Sequence, residues 1–487
     1  MIRRRFTALL VAIALAASAA AAESRIPNSE SRDDDTISHV LNRVTFGART
    51  GDVDLVRSMG LAAWLDQQLH PSRIDDRAAE ARLPQVESPP SGADQQELRR
   101  FARRQVETLA SDKLVRAMYS ERQLQEVLVD FWFNHFNVYA AKGRTAMYLP
   151  EYERDVIRPH VFDRFRDLLE ADAKSPAMLF YLDNWMSATP DRDPGSGIRD
   201  PKVRGFGVRR PRRLPRIPGV GSRIPANGSA PIAANGSAPK RARGLNENYG
   251  RELLELHTLG VDGGYTQQDV VNVARAFTGW TIDRDGRFRF VPALHDAGEK
   301  IVLGHTIKAG GGMDEGEKVL DIVASHPATA HHIAFELAQR LVADDPPPAL
   351  VERAAARFRD TRGDLREVVK TIVTSPEFLA PAARGAKFKT PFELVVSAVR
   401  TTGAEVSDAR AFVQTLQQLG EPLYMCQPPT GYKDTADAWV SAGGLVTRMN
   451  FATRLSSGNM PGVTLPAGTP PAGELALRIG SPEFQRH

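Results

Sequence analysis

A mainly α-helical, multi-helix globular array is the fold that the sequence predicts, and three observations predict it. Apolar residues recur at three- and four-residue spacing over most of the chain, from about Asp33 to Thr402. Capping residues and glycines bracket several of these runs, and strand-like alternation about a turn dipeptide is strongest in one short stretch, a small β-hairpin near 280–291. A long segment, 189–243, fits neither pattern and is expected to be a disordered insert between two helical parts.

The first 22 residues read as a signal peptide. Arg3, Arg4 and Arg5 precede an apolar run from Ala8 to about Ala16, and small residues end at Ala20-Ala21-Ala22. That run is too short to span a bilayer, and no later run is long enough, so no membrane span is expected after cleavage. The expectation is export to the periplasm or beyond, and Arg3-Arg4-Arg5-Phe6 leaves the twin-arginine route open beside the general one. Cys426, the one cysteine, excludes an intramolecular disulfide, and a chain of 487 residues can bury enough core without one.

The N-terminal helical part is read over 23–188. Ile37, Val40, Leu41 and Val44 open it, and Val53, Val56, Leu61, Trp64 and Leu65 continue the core. A Pro, Ser and Gly loop from Ser88 to Asp94 leads into a long helical region ending near Tyr139. There Leu124, Leu128, Phe131, Trp132 and Tyr139 share an arc, and His135 lies inside it with Asn134 alongside. A histidine on an apolar face is usually a satisfied core residue; a ligand or acid/base role is the sharper reading.

The insert, Thr189 to Arg243, holds thirteen basic and three acidic residues and repeats Ala-Asn-Gly-Ser-Ala-Pro. It accounts for more than the whole formal charge of +4. Its arginines could meet anionic polymer or headgroups, but nucleic acid is an unlikely partner, since export removes it and no nucleic-acid fold signature accompanies the charge.

The C-terminal helical part, 244–460, is expected to complete the same core. Tyr249, Leu253, Leu256 and Leu259 form an apolar arc with Asn248, Arg251 and Glu255 beside it and Glu252 in its middle. A carboxylate there needs a partner, because a lone buried charge costs several kcal/mol or more. His135 and Glu252, each the polar exception on its stripe, are therefore expected to approach each other. They are the candidate catalytic pair, with Asn134, Arg251, His257, Asn248 and Glu255 as supporting residues.

Gly260 ends that helix, and Thr266 with Asp269 opens the next as a capping box. Asp262, Thr266 and Asp269 also fit half of a calcium loop, but Thr258 and Gly260 fill its first and third positions and supply no carboxylate; the cap accounts for every residue, and no metal is assigned. No cofactor is predicted, and a divalent metal is what an enzymatic reading would call for. Trp280-Thr281-Ile282 and Phe288-Arg289-Phe290 flank Asp285-Gly286 as the hairpin. Gly310-Gly311-Gly312 lacks the context of a phosphate loop, Ser325-His326-Pro327 starts a helix, and 461–487 reads as a loose tail.

Together these stretches resemble domain-of-unknown-function family 1800, large and often exported bacterial proteins. The resemblance runs over Leu41-Asn-Arg-Val-Thr-Phe-Gly47, Phe131-Trp-Phe-Asn-His-Phe136, Ser175-Pro-Ala-Met-Leu-Phe-Tyr-Leu182, Asn246-Glu-Asn-Tyr-Gly-Arg-Glu-Leu-Leu-Glu-Leu-His257, Thr278-Gly-Trp280, His295-Asp296, His326-Pro-Ala-Thr-Ala330 and Lys387-Phe-Lys-Thr-Pro391. It implies an all-helical fold, export, and frequent pairing with a second exported family, domain-of-unknown-function family 1501, as a partner. It implies no established activity. Gly250 stands where the family motif usually has Ala, and the basic insert enlarges a connection.

Two functions follow. One is a binding or assembly protein acting with a surface polymer or an exported partner, favoured by the lack of a nucleophile motif. The alternative is a metal-assisted hydrolase or other enzyme built on Glu252 and His135, although Gly-x-Ser-x-Gly, His-Glu-x-x-His and Cys-x-x-Cys are all absent.

Overall fold

The structure, a computed structural model, describes residues 33–85, 90, 92–189 and 244–487. The expected signal peptide and nearly all of the insert lie outside these residues. What is described is mainly α-helical with three two-stranded sheets, as the periodicity predicts. A single buried apolar cluster runs from Ile37 to Ile479, so both helical stretches build one core.

The core is centred on the helix Pro391–Thr402, in which every residue from Pro391 to Arg400 is buried. A helix apolar all round must be wrapped by others. Its start is fixed by a capping box between Thr390 and Glu393, with Pro391 at the first turn. The helices Gln95–Tyr119 and Arg410–Leu419 pack on it.

The Leu41–Gly47 motif joins the two ends of the chain. Arg43 donates from Nε to the Leu341 carbonyl at 3.1 Å and from Nη2 to that of Arg340 at 3.0 Å, satisfying the last turn of the helix Pro327–Leu341. Arg400 in turn donates to the Gly47 carbonyl at 2.7 Å.

The helices Asn248–Glu255 and Gln267–Ala276 meet closely at Gly250, where a Cβ would lie 2.9 Å from the Val270 carbonyl oxygen. An alanine would suit the isolated helix better, but here the approach of the neighbouring backbone selects glycine. The predicted hairpin forms with Trp280 opposite Phe290 and Ile282 opposite Phe288. A second, not anticipated, pairs Lys300–Val302 with His305–Ile307. Its turn residues Leu303 and Gly304 both have positive φ, 48° and 79°, as a two-residue hairpin turn requires. The Leu303 amide is held by Asp269 Oδ1 at 2.7 Å.

Two ends deserve correction or note. The expected loose tail is ordered: it carries the helix Ala472–Gly480, and Gln485 to His487 run antiparallel to Lys387–Lys389, with backbone bonds of 2.9 to 3.2 Å and His487 buried. Its Pro and Gly content hides a short strand-like pairing that only a distant partner creates. At the other junction, the Ala188 amide donates to the Gly244 carbonyl at 3.2 Å, so the chain leaves and re-enters the core at adjacent points.

Candidate functional site

Three elements converge on His135, the last residue of the helix Gln123–His135. Its Nδ1 lies 2.6 Å from Glu336 Oε2, on the helix Pro327–Leu341, and its Nε2 lies 3.2 Å from the His257 carbonyl, just past the helix Asn248–Glu255. Both ring nitrogens face acceptors, and only an imidazolium can donate to both. His135 is thus a cationic clamp joining three helices. Burial pushes the Glu336 carboxyl up, but the charge and hydrogen bond of His135 outweigh it and hold the group below the usual range. His332, one turn before, lies 3.6 Å from the other Glu336 oxygen. His257 is buried with no partner on Nδ1, and burial, then the charge on His135, keep it neutral.

The partner of His135 is therefore Glu336 and not Glu252, which corrects the expected pairing. Glu252 is half-buried on the outer side of its helix and makes no hydrogen bond or ion pair with His135. Burial and then the neighbouring Glu255 raise its pKa. Arg251 donates to Gln267 at 2.9 Å, Glu255 accepts from Tyr265 at 3.1 Å, and Asn248 is exposed. Of the residues grouped with the pair, only Asn134 and His257 reach the His135 region. The helix has a partly wet face, which a wheel drawn on leucines alone widens into a buried one.

Asn134 shapes a loop rather than supporting a catalytic pair. Its amide donates to the Tyr432 carbonyl at 2.6 Å and its oxygen accepts from the Tyr432 amide at 2.7 Å, a strand-like double bond. Asn137 donates to the carbonyls of Cys426 and Pro428 at 3.0 and 2.7 Å. Gly431 sits between at φ +68°, where a Cβ would fall 2.3 Å from the Asn134 carbonyl oxygen, so only glycine closes this wall.

Behind that wall lies a cavity of about 180 Å³ whose lining includes Asp130, Phe131, Gln339, Glu421, Tyr432 and Asp434. Arg340 is its hub: Nη1 lies 3.0 Å from Glu393 and 3.1 Å from Asp434, and Nη2 lies 3.3 Å from Asp130. Burial works against its charge, but these carboxylates more than offset the loss. Lys113 meets Asp130 at 2.7 Å and sits 5.3 to 5.6 Å from the ring centroids of Phe133, Phe392 and Tyr424. Glu421 accepts from the Phe392 amide at 2.7 Å, yet burial and the nearby Asp130 charge push its carboxyl up to about 8, so it is mostly protonated at neutral pH.

Sequence reasoning missed Glu336, Arg340, Lys113, Asp130, Glu421 and Asp434. A signal existed for part of the set: His332, Glu336 and Arg340 recur every four residues beside the stripe of Ala334, Leu337 and Leu341. The others come from segments far apart in sequence.

In the remaining candidate loop, Asp269 Oδ2 accepts from the Thr266 amide and hydroxyl at 2.8 and 2.6 Å, and Oδ1 is taken by Leu303, while Asp262 is exposed. Thr266 and Asp269 form the capping box. Among the described residues no group of three or more His, Cys, Asp or Glu side chains is arranged to hold a metal ion, and no helix is long and apolar enough to cross a membrane.

No curated protein and no solved structure matches the chain. A family model does, over residues 39–485, which takes in every element that builds the cavity. The chain belongs to the family described as protein of unknown function DUF1800.

Proposed function

We propose that this is an exported binding and assembly protein that takes an uncharged, hydroxyl-rich unit of a surface polymer into the cavity around Arg340. The observation that carries the reading is the internal pairing of the site. Lys113, Arg340, Asp130 and Asp434 form ion pairs with one another or with Glu393, and His135 is spent on Glu336 and a carbonyl. Such a site has neither a free base nor an activated nucleophile to offer, and what remains is hydrogen bonding and ring faces. At about 180 Å³ the cavity has room for one sugar-sized group. Phe131 and Tyr432 supply ring faces, while Gln339 and the carboxylates supply planar hydrogen-bonding edges.

Export rests on the basic and apolar character of the first 22 residues. A protein of domain-of-unknown-function family 1501 is the partner that the family resemblance suggests.

Hydrolysis is the second reading, and one observation favours it: a protonated Glu421 lies near the ionised Asp130, the contrast of carboxyl states that acid–base chemistry uses. Calorimetric titration of the full chain with neutral oligosaccharides tests both. The binding reading expects saturable heat that Phe131→Ala and Gln339→Ala each weaken, with the oligosaccharides recovered intact. Release of new reducing ends, lost in Glu421→Gln, would replace it with hydrolysis.

A further inference from the structure

A second surface lies away from the cavity, on the first half of the 25-residue helix Gln95–Tyr119. Arg99, Arg100, Arg103 and Arg104 are all exposed there. At 100° per residue they occupy one continuous arc of about 140°, stepping along the axis by about 6 Å every four residues. Arg99, Arg100 and Arg103 make no ion pair with any described residue, and Arg104 lies over the Phe101 ring at 5.9 Å.

Such an arrangement opposes the stability of the helix. Arg99 with Arg103 and Arg100 with Arg104 are like charges four residues apart, and each pair costs a few tenths of a kcal/mol. They also crowd toward the positive end of the helix dipole. The acids in reach do not cancel them. Glu97 is occupied by the Asp94 amide in the capping box, Glu405 by Arg82, and Asp408 by Arg410, which leaves Glu107 as the exposed acid at the far end of the stripe.

From Arg104 the surface continues into a groove of about 370 Å³ that Arg82, Ser111, Ser407 and Arg410 help to line. Stripe and groove together make a basic track along one side of the helix. All four stripe cations are arginine, whose planar fork matches carboxylates in pairs where a lysine offers only a point charge.

We propose that this track docks a linear polysaccharide bearing carboxylates. The geometry favours it over other polyanions. A membrane surface needs an apolar wedge beside the charge, and Leu98, only just exposed at 37%, is the large apolar side chain the stripe offers. Single-stranded nucleic acid needs exposed rings on which bases stack, and Phe101, the aromatic residue of the stripe, is buried.

The test uses the full chain, polygalacturonate as the probe, and the double variant Arg99→Glu/Arg100→Glu. That variant converts both repulsive pairs into Glu-to-Arg pairs of favourable orientation, so its melting temperature should equal or exceed the parent's. The parent should bind polygalacturonate saturably, more weakly as salt rises, and the double variant should bind about tenfold more weakly or worse. Equal binding by both proteins, or none by the parent, would overturn the proposal. So would stronger, arginine-dependent binding to phosphatidylglycerol vesicles or to DNA. Binding of neutral oligosaccharide at the cavity should be unchanged in the variant, so failure of this track and failure of the cavity reading are told apart.

Discussion

Replacing Asp172 by Asn should make the protein more stable at neutral and alkaline pH and leave it unchanged in acid. Asp172 is fully buried in the helix Phe165–Ala173; its Oδ1 accepts from the Tyr152 hydroxyl at 2.7 Å, and its Oδ2 has no partner. Burial pushes the carboxyl up from 3.8 to about 7, with the Tyr152 bond and the charge on His135 opposing. Tyr249, also buried with an unpartnered hydroxyl, is the other titratable group beside it. In the unfolded chain the carboxyl gives up its proton near pH 4, whereas in the fold it keeps it to about pH 7. Between those values the folded state binds more protons, so stability falls as pH rises and the loss is complete above the folded value. The interval from 3.8 to about 7 corresponds to roughly 4 kcal/mol. Asn preserves the oxygen that faces Tyr152 and cannot ionise. Guanidinium unfolding of both proteins, at about pH 4 and about pH 8, reads the difference directly. The variant should match the parent at the lower pH and exceed it by up to about 4 kcal/mol at the higher. Equal pH dependence in the two proteins would refute the claim that a buried, half-satisfied carboxyl titrates here.

Other outcomes follow from the same geometry. Glu336→Gln should destabilise by roughly 2–4 kcal/mol, because it strands the buried His135 charge, whereas Glu252→Gln, on the outer side of its helix, should stay within about 0.5 kcal/mol of the parent; chemical denaturation ranks them, and the reverse order would restore the His135–Glu252 pair. Gly250→Ala should lower the melting temperature despite the better helix former, since the new Cβ presses on the Val270 carbonyl; a rise in thermal unfolding would show that the two helices can separate without loss. Replacing 190–243 with a short Gly-Ser linker should leave cooperative unfolding intact, because Ala188 and Gly244 are already hydrogen-bonded neighbours; loss of the unfolding transition would mean that the segment belongs to the fold.

Much of the architecture was legible because helices advertise themselves locally. The stripes of Ile37 to Val44, Val270 to Phe277 and Ala330 to Leu341 each bury as their spacing predicts. The Thr266–Asp269 cap and the Trp280–Phe290 hairpin were readable for the same reason: their partners lie within a few residues. The second hairpin escaped notice because its turn is Leu303-Gly304 rather than an Asn-Gly or Asp-Gly pair, held instead by distant Asp269. The site was half legible. His135 was recognisable as a polar exception on an apolar face, but its partner could not be chosen. Glu252 and Glu336 both lie beside leucines, and only packing decides which one turns inward. Arg340, Lys113 and Glu421 meet across more than 300 residues of chain, and such long-range charge pairing leaves no trace in spacing.

Hydrogen exchange on the full chain, with and without a saturating neutral oligosaccharide, tests the central claim most directly. The cavity is walled by 424–434, held by Asn134 and Asn137, and floored by Arg340. Ligand in that cavity should slow exchange in 424–434 and around Asn134 and Gln339, and leave the outer helix Asn248–Glu255 unchanged. Protection concentrated at Asn248–Glu255 with none at 424–434 would contradict the account and move the site to the other side of His135.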